Sequence, residues 1–163
     1  MIKQLDKAVV QATYNWTIET APAGAKAERD SNGLLRFASP IVTLCDHNVV
    51  TTAGLSEIIS LITGSGTAFT HFAIGSDNTA AAAGQTALLS EEGRSTFTST
   101  VLGSSSVTWQ YLLPATELNG TNLYEAGIFN AASGGTMLNR YTYSVVEKTS
   151  AIQALYTVVL TIS

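Results

Sequence analysis

The sequence predicts a mainly β fold: an antiparallel β-sandwich of jelly-roll-like kind, with one short α-helix packed against it and an extended N-terminal arm. Three observations carry that expectation. Apolar and polar residues alternate in short runs, the period of a half-buried strand. Turn residues separate those runs at the close spacing of all-β domains. A single segment departs from this, with the 3.6-residue period of an amphipathic helix.

Residues 1–33 form the expected arm or peripheral hairpin. Val9 and Val10, then Tyr14, Trp16 and Ile18, offer apolar contacts to a neighbouring chain by strand addition. Pro22 and Gly24 interrupt regular structure, and Asn32-Gly33 supplies a tight turn. The β domain is placed at 34–163. Leu35, Phe37, Val42 and Leu44 alternate up to Val49-Val50. Leu55, Ile58, Ile59 and Ile62 then fall at i, i+3, i+4 and i+7, which predicts a helix capped by Thr51 or Thr52 and ended by Gly64.

Residues 69–75 read as a strand, with Phe72 and Ile74 on one face and Phe69, His71 and Ala73 on the other. A loop of small residues spans 76–84, and 86–92 is expected to make one helical turn carrying Leu88 and Leu89. Beyond Arg94 the pattern is antiparallel β. Val107, Trp109, Tyr111 and Leu113 make a period-2 face, and Ala126 and Ile128 alternate with Glu125 and Phe129. Ser133-Gly134-Gly135 is a hairpin turn. Tyr141 and Tyr143 oppose Arg140 and Thr142, and in 152–162 Tyr156, Val158 and Leu160 oppose Leu155, Thr157 and Val159.

Composition narrows the function classes. Charged residues are only 12% of the chain, while 16 Ser and 22 Thr occupy the polar positions. That disfavours a coiled coil and a disordered tail. A net charge of −4 without a basic cluster disfavours nucleic-acid binding. No signal peptide or membrane span is expected, and the single Cys45 excludes an intramolecular disulfide. So charge-poor a surface suits a protein covered by copies of itself or by a larger assembly.

No catalytic residue and no metal or cofactor site is expected. In Cys45-Asp46-His47, strand geometry holds Cys45 and His47 about 7 Å apart and turns Asp46 away, the wrong arrangement for a thiolate–imidazole pair. His47 and His71 lack metal-ligand spacing. Glu91, Glu92 and Glu125 lack the further acids and aromatics of a sugar-cleaving cleft, and salt bridges to Arg94 or Arg140 are the expected use of such acids. Ser76-Asp77-Asn78 lacks the companion motifs of the serine β-lactamases.

Four motifs occur in order: T-T-A-G before the helix (51–54), F-A-I-G-S ending a strand (72–76), T-A-L-L-S-E-E-G-R (86–94) and Y-E-A-G-I-F (124–129). In that order and spacing, over roughly 47–162, the chain resembles a group of tailed-bacteriophage virion proteins. It is similar to the N-terminal domains of tail-collar fibres and to small head or tail accessory proteins, although no repetitive shaft follows. Physics gives the motif residues structural work. Gly54, Gly75 and Gly127 serve the helix start and close β-layer contacts. Glu91 and Arg94, three apart, latch a turn, and Glu125 pairs with Arg140 across the hairpin.

The resemblance implies a non-enzymatic structural protein of the virion. The leading reading is a capsid decoration (cement) protein, trimeric, bound to the major capsid protein through its arm and subunit interfaces. A tail or baseplate fibre adaptor is the alternative. A carbohydrate-binding module built on Trp16, Trp109 and Tyr111 is a further one.

Overall fold

In the computed structural model, which describes residues 12–46 and 48–163 (side chains of 42–46 excepted), twelve antiparallel strands and one helix are formed. Val9, Val10 and His47 lie outside the described residues, as do the side chains of Cys45 and Asp46. The strands are β1 (Ala12–Pro22), β2 (Ala27–Arg29), β3 (Leu35–Phe37), β4 (Val42–Asp46), β5 (Asn48–Val50), β6 (His71–Gly75), β7 (Glu91–Thr96), β8 (Ser99–Leu102), β9 (Ser106–Leu113), β10 (Thr121–Phe129), β11 (Met137–Lys148) and β12 (Ile152–Ile162). Helix α1 spans Thr52–Ile62.

They form two five-stranded sheets, ordered β4-β1-β12-β9-β8 and β5-β11-β10-β6-β7, and the separate hairpin β2-β3. One hydrophobic cluster draws on both large sheets. The period-2 faces supply it: Trp109, Tyr111, Leu113, Tyr156 and Val158 from the first sheet, with Phe72, Ile74, Ala126, Ile128, Tyr141 and Tyr143 from the second. Its centre is aromatic. Trp16 stacks on Tyr141 at 5.0 Å, and Phe72 lies 5.2–5.3 Å from Tyr156 and Tyr111. The hydroxyls of Tyr143 and Tyr156 meet at 3.2 Å, and Tyr143 also donates to the Glu125 carbonyl.

The N-terminal strand is the main correction to the sequence reading. Residues 12–22 are no arm: β1 lies inside the first sheet, paired over its whole length with β12 and along part of it with β4. Trp16 and Ile18 are therefore buried in the core, and Tyr14 is packed at its margin. Trp16 and Ile18 are thus not free for a neighbouring chain. The boundary drawn at 33/34 falls in the turn of the β2-β3 hairpin, so it separates nothing. Asn32-Gly33 does make that turn, with Gly33 at φ 80°.

The hairpin covers the outer face of the first sheet, where Leu35 and Phe37 pack on Ala21 and Leu155. Buried Gln110 fastens it, accepting from the Leu35 N–H at 2.6 Å and donating to the Leu35 carbonyl at 2.9 Å.

The helix begins where expected: Thr51 Oγ1 accepts from the Gly54 N–H at 2.8 Å and donates to the Met137 carbonyl at 2.5 Å. Gly64, at φ 76°, follows its end. Its apolar face docks only in part, through Ile58, which packs at the margin of the core. Gly54 is its buried residue, seated so closely on β11 that a Cβ would strike the Leu138 backbone. Leu55, Ile59 and Ile62 remain exposed. The helical turn expected at 86–92 does not form either. Residues 86–90 are irregular, and Glu91 already begins β7.

Candidate functional site

The deepest concentration of polar groups lies on the outer face of the second sheet, beneath residues 76–90. Strand alternation puts Ala126 and Ile128 in the core and turns Glu125, Gly127 and Phe129 outward. Glu125 and Arg140 have fully buried side chains, and Arg140 Nε donates to Glu125 Oε2 at 2.6 Å. Such burial is costly unless the remaining hydrogen-bond sites are filled. The covering loop fills most of them, while Arg140 Nη2 makes no hydrogen bond and has the Asp77 carboxylate as its ion-pair partner. Glu125 accepts from the Leu89 and Ser90 N–H groups at 3.2 and 2.8 Å. Arg140 Nη1 donates to the Thr79 carbonyl at 2.8 Å and to Gln85 Oε1 at 3.2 Å, while Nη2 lies 3.5 Å from Asp77.

Gly75 makes room for this arrangement. It stands opposite Glu125 in the β6–β10 register, and a Cβ there would strike the Ser90 carbonyl and the Glu125 carboxylate. Gly127 does the same for the loop's apolar anchor: its missing Cβ leaves space for Leu88 and Phe129. Leu88 is buried against Ala73, Phe129 and Met137, whereas Leu89 points to solvent. Asp77 accepts from the Thr79 N–H at 2.7 Å, and that bond, with the nearby Arg140 charge, holds its carboxyl below the usual range.

Arg94 fixes the neighbouring hairpin. Its guanidinium lies 3.6 Å from the Phe129 ring centroid and binds Glu91 through two bonds of 2.9 and 2.6 Å. Nη1 also donates to the Ala131 and Gly134 carbonyls. On a regular strand, residues three apart face opposite ways. Here the register slips between Ile74–Gly93 and Gly75–Glu91, and the extra residue, Glu92, lets Glu91 and Arg94 meet.

Six predicted residues, Gly75, Glu91, Arg94, Glu125, Gly127 and Arg140, thus gather on one sheet face, while Gly54 acts separately under the helix. Sequence reasoning missed Asp77, Thr79, Gln85 and Gln110, whose roles depend on distant partners. Gln85 alone left a faint signal, a polar residue closing a run of small ones.

Chemically the arrangement clamps a loop: each carboxylate of the two strong pairs already has its cation, and Glu125 has two backbone donors besides. Elsewhere, Ser76 donates to Glu92 at 2.6 Å, and His71 Nδ1 lies 2.9 Å from Thr70 Oγ1. Among the described residues no group of three His, Cys, Asp or Glu is placed to hold a metal ion. No described helix is long and apolar enough to cross a membrane. The aromatic residues considered for sugar stacking are corrected: Trp16, Trp109 and Tyr111 are buried in the core cluster. Trp109 moreover stacks on Phe97 at 5.7 Å. No family model matches the chain, and searches of curated proteins and of solved structures found no match.

Proposed function

We propose that this chain is a non-enzymatic structural protein of a tailed-phage particle, a β-sandwich module that decorates the capsid surface as a homo-oligomer against the major capsid protein. The observation that carries the reading is the use to which the resembling motifs are put. Gly75, Leu88, Glu91, Arg94, Glu125 and Gly127 lock one covering loop and one hairpin to a sheet. Motifs that hold a rigid shape suit a part whose work is to fit other parts. The sandwich description is supported by the single aromatic cluster shared between the two large sheets. With β1 inside the sheet, docking falls to exposed surfaces of the folded domain rather than to residues 12–22.

Co-sedimentation with expanded empty capsids tests this. Binding that raises capsid stability is the expected result. Failure to co-sediment, with no change in capsid stability, would overturn it. Labelling of intact particles separates head from tail, because a fibre adaptor would appear only at the tail.

A further inference from the structure

We propose that the outer edge of the β2-β3 hairpin, with the groove beside it, binds an extended acidic segment of a partner protein, whose carboxylates meet Lys26 and Arg29. The proposal goes beyond the particle reading and does not depend on it.

Cations are scarce in this chain and unevenly placed. The described residues include six Lys and Arg. The side chains of Arg94, Arg140 and Lys148 are buried and bonded within the fold. The other three, Lys26, Arg29 and Arg36, are exposed, and all three line one groove of about 430 Å³.

The acids nearby gather round only one of these cations. Arg36 lies 3.4 Å from Asp30 and 3.7 Å from Glu19, and it stands opposite Glu28 in the hairpin register. Asp30 also accepts from the Asn32 and Leu34 N–H groups, which ties it into the turn. Among the described residues, Lys26 and Arg29 form no ion pair. Arg29 is nonetheless held in place: Nη1 donates to the Gly33 carbonyl at 2.5 Å and to Ser99 Oγ at 2.9 Å. A guanidinium fixed by neutral acceptors keeps further donors for a carboxylate and loses little side-chain freedom on binding it.

The backbone selects an extended peptide as the carrier of those carboxylates. The Asp30 N–H bonds the Leu34 carbonyl at 2.8 Å, so strand alternation turns the backbone groups of Ala27 and Arg29 away from β3. On the β3 side, the outward groups of Leu35 are taken by Gln110. Beyond β2 no strand lies among the described residues. An open edge of this kind pairs with an added strand, and flanking side chains choose which strand it takes. An acidic peptide satisfies both the edge and the two cations. A nucleic acid has no backbone to pair with the edge, and its phosphates would face Glu28 and Asp30 on a chain of net charge −4.

The test is titration of the full, isotope-labelled chain with a blocked peptide of alternating threonine and glutamate, read by amide NMR shifts. Saturable shifts at Ala27 and Arg29 are expected, weakening as salt is added. Lys26→Glu, which removes no contact of the fold, should weaken binding by ~10-fold or more through like-charge repulsion. The amide spectrum itself confirms that the variant is folded. Absence of saturable shifts, equal binding of the matching threonine–glutamine peptide, or binding unchanged by Lys26→Glu would overturn the proposal. Tighter binding of oligothymidylate at the same amides would also overturn it, making the groove a polyanion site. No capsid enters this experiment, so its failure leaves the particle reading standing, and failed co-sedimentation leaves this proposal standing.

Discussion

At Gly75 and Glu125 the fold depends on an absence: the Glu125 carboxylate and the Ser90 carbonyl occupy the space a β-carbon would need. Gly75→Ala should therefore cost about 3 kcal/mol in urea unfolding, the upper range for overpacking. Gly84→Ala is the matched control, with open space around it, and should change stability by less than about 0.5 kcal/mol. Removing the carboxylate is worse than crowding it. Glu125→Ala leaves Arg140 buried beside an uncompensated gap, a loss of about 3–5 kcal/mol. Replacing both partners, Glu125→Leu with Arg140→Met, should recover much of that, because the loss lies mainly in stranding one charge. A double variant no more stable than Glu125→Ala would contradict this.

Among the elements, α1 shows what local sequence can and cannot determine. Its cap follows from Thr51 and the residues after it, so Thr51→Ala should cost about 1–2 kcal/mol, measured by thermal or urea unfolding. Its burial does not follow. The apolar period groups Leu55, Ile58, Ile59 and Ile62 on one face, yet of these Ile58 alone packs at the margin of the core, and Gly54 is what sits on β11. Periodicity identifies an apolar face and is silent about what covers it. β1 was misread for a similar reason. Pro22 and Gly24 marked a local break correctly, but pairing of Ala12–Pro22 with Ile152–Ile162 joins the two ends of the chain, and nothing within a window reports it. By contrast, the strand faces of 107–113 and 152–162 were legible because alternation is itself local. The Glu91–Arg94 pair was legible from spacing, although a strand bulge, not a helical turn, brings the two together. Arg140's contacts to Asp77, Thr79 and Gln85 cross more than 50 residues and left no pattern to find.

For the molecule as a whole, covered faces account for the composition. The β2-β3 hairpin shields one sheet and residues 76–90 the other, so both large sheets bury side chains on both faces. Few positions are left that need charge. The shared aromatic core predicts sensitivity to alkali. Burial pushes the Tyr14 phenol up to about 12 and raises Tyr143 and Tyr156 as well. These groups stay neutral in the fold while the unfolded chain ionises near 10. Their contribution is complete below about pH 10 and is lost as pH rises through the folded values, so the urea midpoint should fall across that window. Asp77 acts in the opposite sense. Its carboxyl is held low in the fold, so its contribution is present above the ordinary Asp value and is lost in acid.

The central claim is that residues 76–90, without helix or strand, are clamped to the second sheet through Glu125 and Arg140. Amide hydrogen exchange of the intact protein tests it most directly. The Leu89 and Ser90 amides, both donors to the Glu125 carboxylate, should exchange as slowly as those of β10 and β11. Exchange at the rate of an open loop, while β10 and β11 stay protected, would contradict the clamp.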